Sequence, residues 1–473
     1  MIRKGLLYII IASVYFSTAR GQEFVTGLQS NPGISHEHYS SLIRKDALLP
    51  DTLSLPFFDD FSGQSVLPDR RYWLDDYVYI NNTYSVKQVT KGIATFDALD
   101  NTGHMYSDAS TSVFEADHLT SKPLNLNYPS SDNIWLSFLY EPGGLSDPPE
   151  PKDSLTVQFY APQEDKWYSV WQAAGSSDTV FRTAMIAVNE EKFLKKGFKF
   201  RFINYASISS NLIDPSIIGN CDIWNIDYVR LDRNRDVADT AFADVAFTLP
   251  LRSLLKTHEA MPWKQFLQVY LQEMGSYIPV HYRNNDIITR NVTRNFEIKD
   301  MYSASQPYFF TAGATNIDPQ TSVDYNANLI YTYSNNYPDS ALFRITASLK
   351  TDVFDPKEND TMVYYQVFSN YFAFDDGSSE GGYGINGQGS RNAMVACRFQ
   401  SFMDDTLRAV SICFNDSYME SNKRTFDLIV WDDDNGLPGN ILYSQDNVLV
   451  QQGSDINGYY TYKLSEPVMV SDV

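Results

Sequence analysis

Short runs in which apolar and polar residues alternate recur along this chain. Each is closed by a glycine, proline or asparagine turn, a punctuation that suits sheets and leaves little room for helices. Phe198-Lys-Phe-Arg-Phe-Ile is the clearest: every second side chain is apolar and those between are basic, as in a strand with one buried face. Further strands are predicted at Trp73 to Ile80, Gly92 to Asp97, Ile134 to Tyr140, Leu155 to Tyr160, Trp167 to Trp171 and Ile223 to Leu231. Breaks such as Glu141-Pro-Gly-Gly-Leu-Ser-Asp-Pro-Pro-Glu-Pro cannot continue a sheet interior. Many short strands at this spacing predict antiparallel sandwiches. The one helix expected lies near Met261-Pro-Trp-Lys-Gln-Phe-Leu, with proline at an acceptable helix start.

Charge narrows the function classes. Lys plus Arg number 37 and Asp plus Glu 58, a net charge of −21. That excludes nucleic acid as a partner and disfavours anionic membrane surfaces. Residues 1–21 read as an export signal: Arg3 and Lys4 precede an apolar stretch from Leu6 to Phe16, and Ala19 and Gly21 form a small-residue cleavage site. No later segment is apolar enough to span a bilayer, so the mature chain is expected to lack a transmembrane segment. Cys221, Cys397 and Cys413 are too few for a disulfide scaffold. Alternation sends Cys397 inward on a strand from Met394 to Phe399 and puts Cys413 on the outer side of the next strand, so free thiols are expected.

Five segments follow from these patterns: 1–21 the signal peptide, 22–50 an N-terminal leader without strong periodicity, 51–235, 240–369 and 370–473. The charged stretch Asp232 to Asp239 is expected to be an exposed linker between the first two sandwiches. Residues 240–369 suit an immunoglobulin-like sandwich, with strands at Ile287 to Val292, Ala327 to Tyr333, Leu342 to Leu349 and Met362 to Phe368. In the last segment strands are predicted at Ala393 to Phe399, Leu407 to Phe414, Phe426 to Asp432 and Tyr459 to Leu464. Its closing pattern, Pro467-Val-Met-Val, has no partner strand after it in the sequence, so the segment is expected to be a truncated sandwich.

Leu55-Pro-Phe-Phe-Asp-Asp-Phe-Ser, Gly92-Ile-Ala-Thr-Phe-Asp-Ala-Leu-Asp, Asp153-Ser-Leu, Phe198-Lys-Phe-Arg-Phe-Ile-Asn-Tyr-Ala-Ser and Trp224-Asn-Ile-Asp-Tyr-Val together resemble the jelly-roll domain of secreted Bacteroidota proteins, a domain distantly similar to MAM-type adhesion domains. Phe374-Asp-Asp-Gly, Val430-Trp-Asp-Asp-Asp-Asn-Gly and Gly458-Tyr-Tyr-Thr-Tyr resemble a module that follows it. The resemblance implies an all-β chain of tandem sandwiches: a jelly roll, an immunoglobulin-like unit and a second jelly-roll-like unit. It also implies the type IX export machinery as a partner, location outside the cell, and non-enzymatic binding or adhesion to an extracellular protein or glycan. The alternative is the accessory ligand-binding region of a secreted enzyme that degrades polysaccharide or protein. The carboxyl-terminal sorting domain usual in such proteins is not in this sequence.

Candidate chemistry is sparse. Gly377-Ser-Ser-Glu-Gly matches a nucleophile elbow, but all six histidines precede Ser379 and the required downstream histidine is missing, so a loop is expected. Gly382-Tyr-Gly-Ile-Asn-Gly lacks the helix a dinucleotide site needs. Trp431-Asp-Asp-Asp-Asn-Gly fails the calcium-loop spacing and reads as an Asn-Gly hairpin. One cofactor expectation stands: structural calcium at Asp59 and Asp60 in the first strand motif and Asp227 in the last, where topology can bring them together. Most tryptophans sit inside strand patterns and are expected in the core. Asp-Ser/Thr followed by an apolar residue, as in Asp153-Ser-Leu and Asp405-Thr-Leu, resembles the O-glycosylation signal of exported Bacteroidota proteins.

Overall fold

The computed structural model describes residues 22–43, 51–63, 65–208, 218–333, 337–351, 356–386, 390, 392–416, 424–454 and 456–471. Strands dominate the described residues and α-helix is confined to two short segments, so buried surface has to come from sheets packed face to face. The fold is all-β, a tandem of antiparallel β-sandwiches.

In the first sandwich one sheet runs in the order Arg182–Val188, Ile134–Pro142, Trp224–Asp232, Ile93–Phe96, Tyr79–Asn81, and Phe57–Asp59 also pairs with Trp224–Asp232. The facing sheet runs Phe114–Thr120, Lys196–Ala206, Ser154–Ala161, Lys166–Ala174. The alternation in Lys196–Ala206 drives Phe198, Phe200 and Phe202 wholly into the space between the sheets, beside Phe57, Phe96, Phe138 and Phe159. Each such ring contributes about 2 kcal/mol by leaving water. Their edge-on packing, with Phe138 4.9 Å from Phe202 and 5.1 Å from Trp171, holds one arrangement of the core. Gly92 has φ +85°, and a Cβ there would stand 2.1 Å from the Phe61 carbonyl oxygen, so only glycine admits this strand entrance. Trp73, expected on a strand reaching Ile80, instead lies ahead of the short Tyr79–Asn81 strand and plugs the core.

The second sandwich sets Val245–Phe247, Tyr277–Asn284 and Ser322–Asn328 against Met261–Pro262, Thr361–Ser369, Ala341–Lys350, Arg290–Asp300 and Tyr308–Ile317. The predicted helix is Trp263–Glu273, and its buried Trp263 and Phe266 stack at 5.6 Å and join the core. In the last segment two antiparallel ribbons, Asp405–Ile412 with Tyr460–Val470 and Thr425–Asp434 with Leu437–Leu449, enclose a small core of Leu428, Tyr462, Leu464 and Val468. Asn435 and Gly436 both have positive φ, 56° and 87°, the twist a two-residue hairpin demands.

Four expectations need correction. Residues 22–50 are not patternless throughout: Gln22–Thr26 pairs with Gly382–Asn386, and Asn31 caps the helix Pro32–Ile43 by accepting the Gly33 and Ile34 amides. Residues 393–400 form no strand and lie exposed, so Cys397 faces solvent rather than the core. The Pro467-Val-Met-Val stretch is paired, with Val468 opposite Leu407 and Val470 opposite Asp405. Asp232 to Asp239 is not a free linker, because Arg235, only 4% exposed, donates to Asp239 Oδ2 at 2.6 Å and to the Arg230 and Trp135 carbonyls.

Buried polar contacts join the first two sandwiches. Asn359 Nδ2 donates to Asp60 Oδ2 at 2.9 Å and Asp244 Oδ2 at 2.7 Å, while Asn285 Nδ2 donates to the Val89 carbonyl and the Tyr228 hydroxyl. Lys91 Nζ reaches the Thr361 carbonyl at 2.7 Å. Among the described residues no helix is long and apolar enough to cross a membrane.

Candidate functional site

A sandwich has two outward faces, and in the first sandwich they differ. The outward face of the sheet containing Trp224–Asp232 is closed: Asn81 donates to Thr95, Thr95 to Asn225 and Asn225 to Glu141, at 2.8, 2.7 and 3.0 Å, all four buried. Burial pushes the Glu141 carboxyl above its usual range despite these donors. Tyr84 and Tyr228, both fully buried, seal the same side.

The outward face of the other sheet is half-exposed and carries a different chemistry. Register sets Lys199 beside Tyr160 and Tyr160 beside Trp167 across three strands, and in the next layer Arg201 beside Gln158 and Gln158 beside Ser169. The Tyr160 and Trp167 rings lie 5.2 Å apart. Lys199 Nζ sits 4.3 Å from the Tyr160 ring centre and the Arg201 guanidinium 4.5 Å from that of Trp167, both in cation–π range. Arg201 Nε and Nη2 both donate to Gln158 Oε1, at 2.9 and 2.7 Å, and Gln158 Nε2 donates to Ser169 Oγ, which fixes the guanidinium plane. Tyr160 donates to Asp165 at 2.5 Å, and this bond raises the phenol's pKa.

The electrostatics set this patch apart. Neighbouring Lys192 and Lys195 are matched by Glu190 and Glu191. Among the described residues Lys199 and Arg201 have no carboxylate at ion-pair distance. In a chain of net charge −21, two cations without a carboxylate partner, held over aromatic rings on a half-exposed face, have the chemistry that a flat ligand bearing negative charge would require.

Most tryptophans are expected in the core from their strand patterns, and Trp167 is one that is not, for a reason the strand pairing gives. Between Val157 opposite Trp171 and Gln158 opposite Ser169, one extra residue enters the Lys166–Ala174 strand. Trp167 and Trp171, four apart, would share a face in a regular strand, but this bulge turns Trp171 inward against Phe138 and leaves Trp167 outward.

The three residues expected to hold calcium are placed as follows. The first and last strands of the sandwich are neighbours, with Asp59 opposite Val229. Asp59 accepts the Trp73 indole N–H at 2.7 Å and the Phe61 amide at 3.0 Å, and burial pushes its pKa up to about 7. Asp60 accepts from the Ser62 amide and hydroxyl and from Asn359. Asp227 is fully buried; Oδ1 accepts the Tyr228 amide, and Oδ2 has no hydrogen-bond donor. Burial, with Asp60 and Asp59 nearby, raises the Asp227 pKa well above the usual range. Ser379 lies in a loop, and its carbonyl accepts the Tyr84 hydroxyl.

No protein-family model and no curated protein matches this chain. Among solved structures it is similar to a β-glucuronidase of Parabacteroides merdae, at 14% identity over 52% of this chain and 27% of that one, TM-score 0.22. It is also similar to a β-glucuronidase of Bacteroides uniformis, at 11% identity over 66% of this chain and 34% of that one, TM-score 0.21. A third is the tandem CBM22 domain from Paenibacillus barcinonensis Xyn10C, at 8% identity over 69% of this chain and all of that one, TM-score 0.23. The chain spans about a third or less of the length of the two glucuronidases.

Proposed function

We propose that this is an exported, non-enzymatic binding protein whose first sandwich engages acidic polysaccharide through Trp167, Tyr160, Lys199 and Arg201. The single observation that carries this reading is the pairing of half-exposed aromatic rings with two cations that no carboxylate partners. A sugar ring covers an aromatic face and loses water from both surfaces. A uronate carboxylate beside it would take the guanidinium and ammonium donors, a charge-assisted contact stronger than a neutral hydrogen bond. Export is supported by Arg3, Lys4 and the apolar stretch that follows, and it would leave the protein secreted or at the cell surface. Migration of the protein through native gels containing polygalacturonate, alginate, xylan or galactomannan tests it. Retardation by the two uronate polymers, lost in Trp167→Ala, is expected; equal retardation by the neutral polymers, or retention in Trp167→Ala, overturns it.

A further inference from the structure

A second cluster lies at the other end of Ser154–Ala161, where the Pro-rich loop ahead of that strand meets the turn ahead of Trp224–Asp232. Glu150, Asp153 and Asp222 each offer one carboxylate oxygen, and these oxygens all lie within 4.8 Å of one another. Asp153 and Asp222 are fully buried and Glu150 is exposed.

Ser207 straps the two buried acids together: its amide donates to Asp222 Oδ2 at 2.6 Å and its hydroxyl to Asp153 Oδ2 at 3.0 Å. Asp153 Oδ1, fully buried, has no hydrogen-bond donor. The local backbone is fitted to this arrangement. Asp222 adopts φ +51°, and the Asp153 carbonyl is held by the Gly175 amide, where a Cβ would fall 2.0 Å from the Glu150 carbonyl oxygen. Among the described residues no arginine or lysine forms an ion pair with any of the three. Burial and the neighbouring acids push the Asp222 pKa up to about 8, and burial raises that of Asp153 to about 6. Three converging carboxylates without a counter-charge are costly to bury unless a cation joins them.

The ligand chemistry selects the cation. Oxygen donors alone suit a hard divalent ion rather than zinc. Calcium accepts oxygen ligands in flexible geometry at about 2.3–2.6 Å, whereas magnesium demands a near-ideal octahedron and keeps several of its waters, so a set of three protein carboxylates suits calcium.

We propose that Glu150, Asp153 and Asp222 bind one calcium ion that ties the Pro-rich loop to the last strand of the first sandwich. It is a different set from Asp59, Asp60 and Asp227, and it does not rest on the polysaccharide reading. The full-length mature protein, stripped with chelator, is titrated with calcium while binding is followed by calorimetry and the melting temperature by fluorescence. Terbium luminescence, excited through protein aromatics, provides a second readout. One ion per chain is expected, with a rise in melting temperature of several degrees, because a ligand that binds only the native state stabilises it by mass action.

Glu150→Gln changes an exposed side chain without altering its size, and should weaken calcium binding at least tenfold. Asp153→Asn should abolish it. Asp227→Asn should leave affinity and stoichiometry unchanged. No calcium binding by the wild-type chain overturns the proposal, as does binding that survives Glu150→Gln and Asp153→Asn but disappears in Asp227→Asn.

Discussion

Asp97 offers a clean test of the electrostatic account, because it is fully buried at the end of strand Ile93–Phe96 with Oδ1 accepting the Leu99 amide and Oδ2 lacking a donor. Burial pushes its pKa up to about 7, from 3.8 for an ordinary aspartate. The sign follows directly. Between pH 4 and 7 the folded chain holds a proton at Asp97 that the unfolded chain has released, so stability falls as pH rises through that window. One retained proton is worth about 1.4 kcal/mol per pH unit, which caps the Asp97 contribution at about 4 kcal/mol across the window. Asp59, also near 7, adds the same sign. In Asp97→Asn the slope should be shallower by up to about 1.4 kcal/mol per pH unit. Urea unfolding at pH 5, 6, 7 and 8, in chelator, measures it. Tryptophan fluorescence is the probe, since Trp73, Trp135, Trp167, Trp171 and Trp224 all belong to the first sandwich. Wild-type stability that rises from pH 5 to 7, or equal slopes for the two proteins, would refute the reasoning.

Two further outcomes follow from packing. Asn359→Ala removes the amide that bridges Asp60 and Asp244 across the junction while the Asn285 and Lys91 contacts remain; losing two hydrogen bonds to charged groups costs about 3–5 kcal/mol, so the melting transition by calorimetry should fall and broaden as the first two sandwiches uncouple. No disulfide joins the three cysteines: Cys397 should alkylate in the native protein, and buried Cys221, whose pKa burial raises, only after denaturation; a mass short of three alkylations in denaturant without reductant would mean a bridge.

Much of the architecture was legible in the sequence where one face of a strand is uniformly apolar. Lys196–Ala206 and Ala341–Lys350 alternate cleanly and lie where the pattern put them. Phe114–Thr120 escaped notice because it buries Asp117 among its apolar residues; the Tyr106 hydroxyl and the Ala98 amide satisfy that carboxylate, and neither is visible locally. The 393–400 stretch misled in the opposite direction, being apolar enough for a strand yet lacking a neighbour to pair with among the described residues. Trp167 shows the deeper limit: its direction depends on a bulge defined by the partner strand, a non-local property. Glu150, Asp153 and Asp222 are likewise 72 residues apart at their extremes and meet only through topology.

The most direct test of the central claim is a calorimetric titration of the mature protein with a short oligogalacturonide at low and high salt, alongside Trp167→Ala and Lys199→Glu. Binding is predicted for the wild type, weakening with salt because charge pairs are screened. It should be lost in Trp167→Ala and in Lys199→Glu, while both variants keep the wild-type melting temperature. Binding that persists in both variants, or a neutral oligosaccharide bound equally well, would contradict the account.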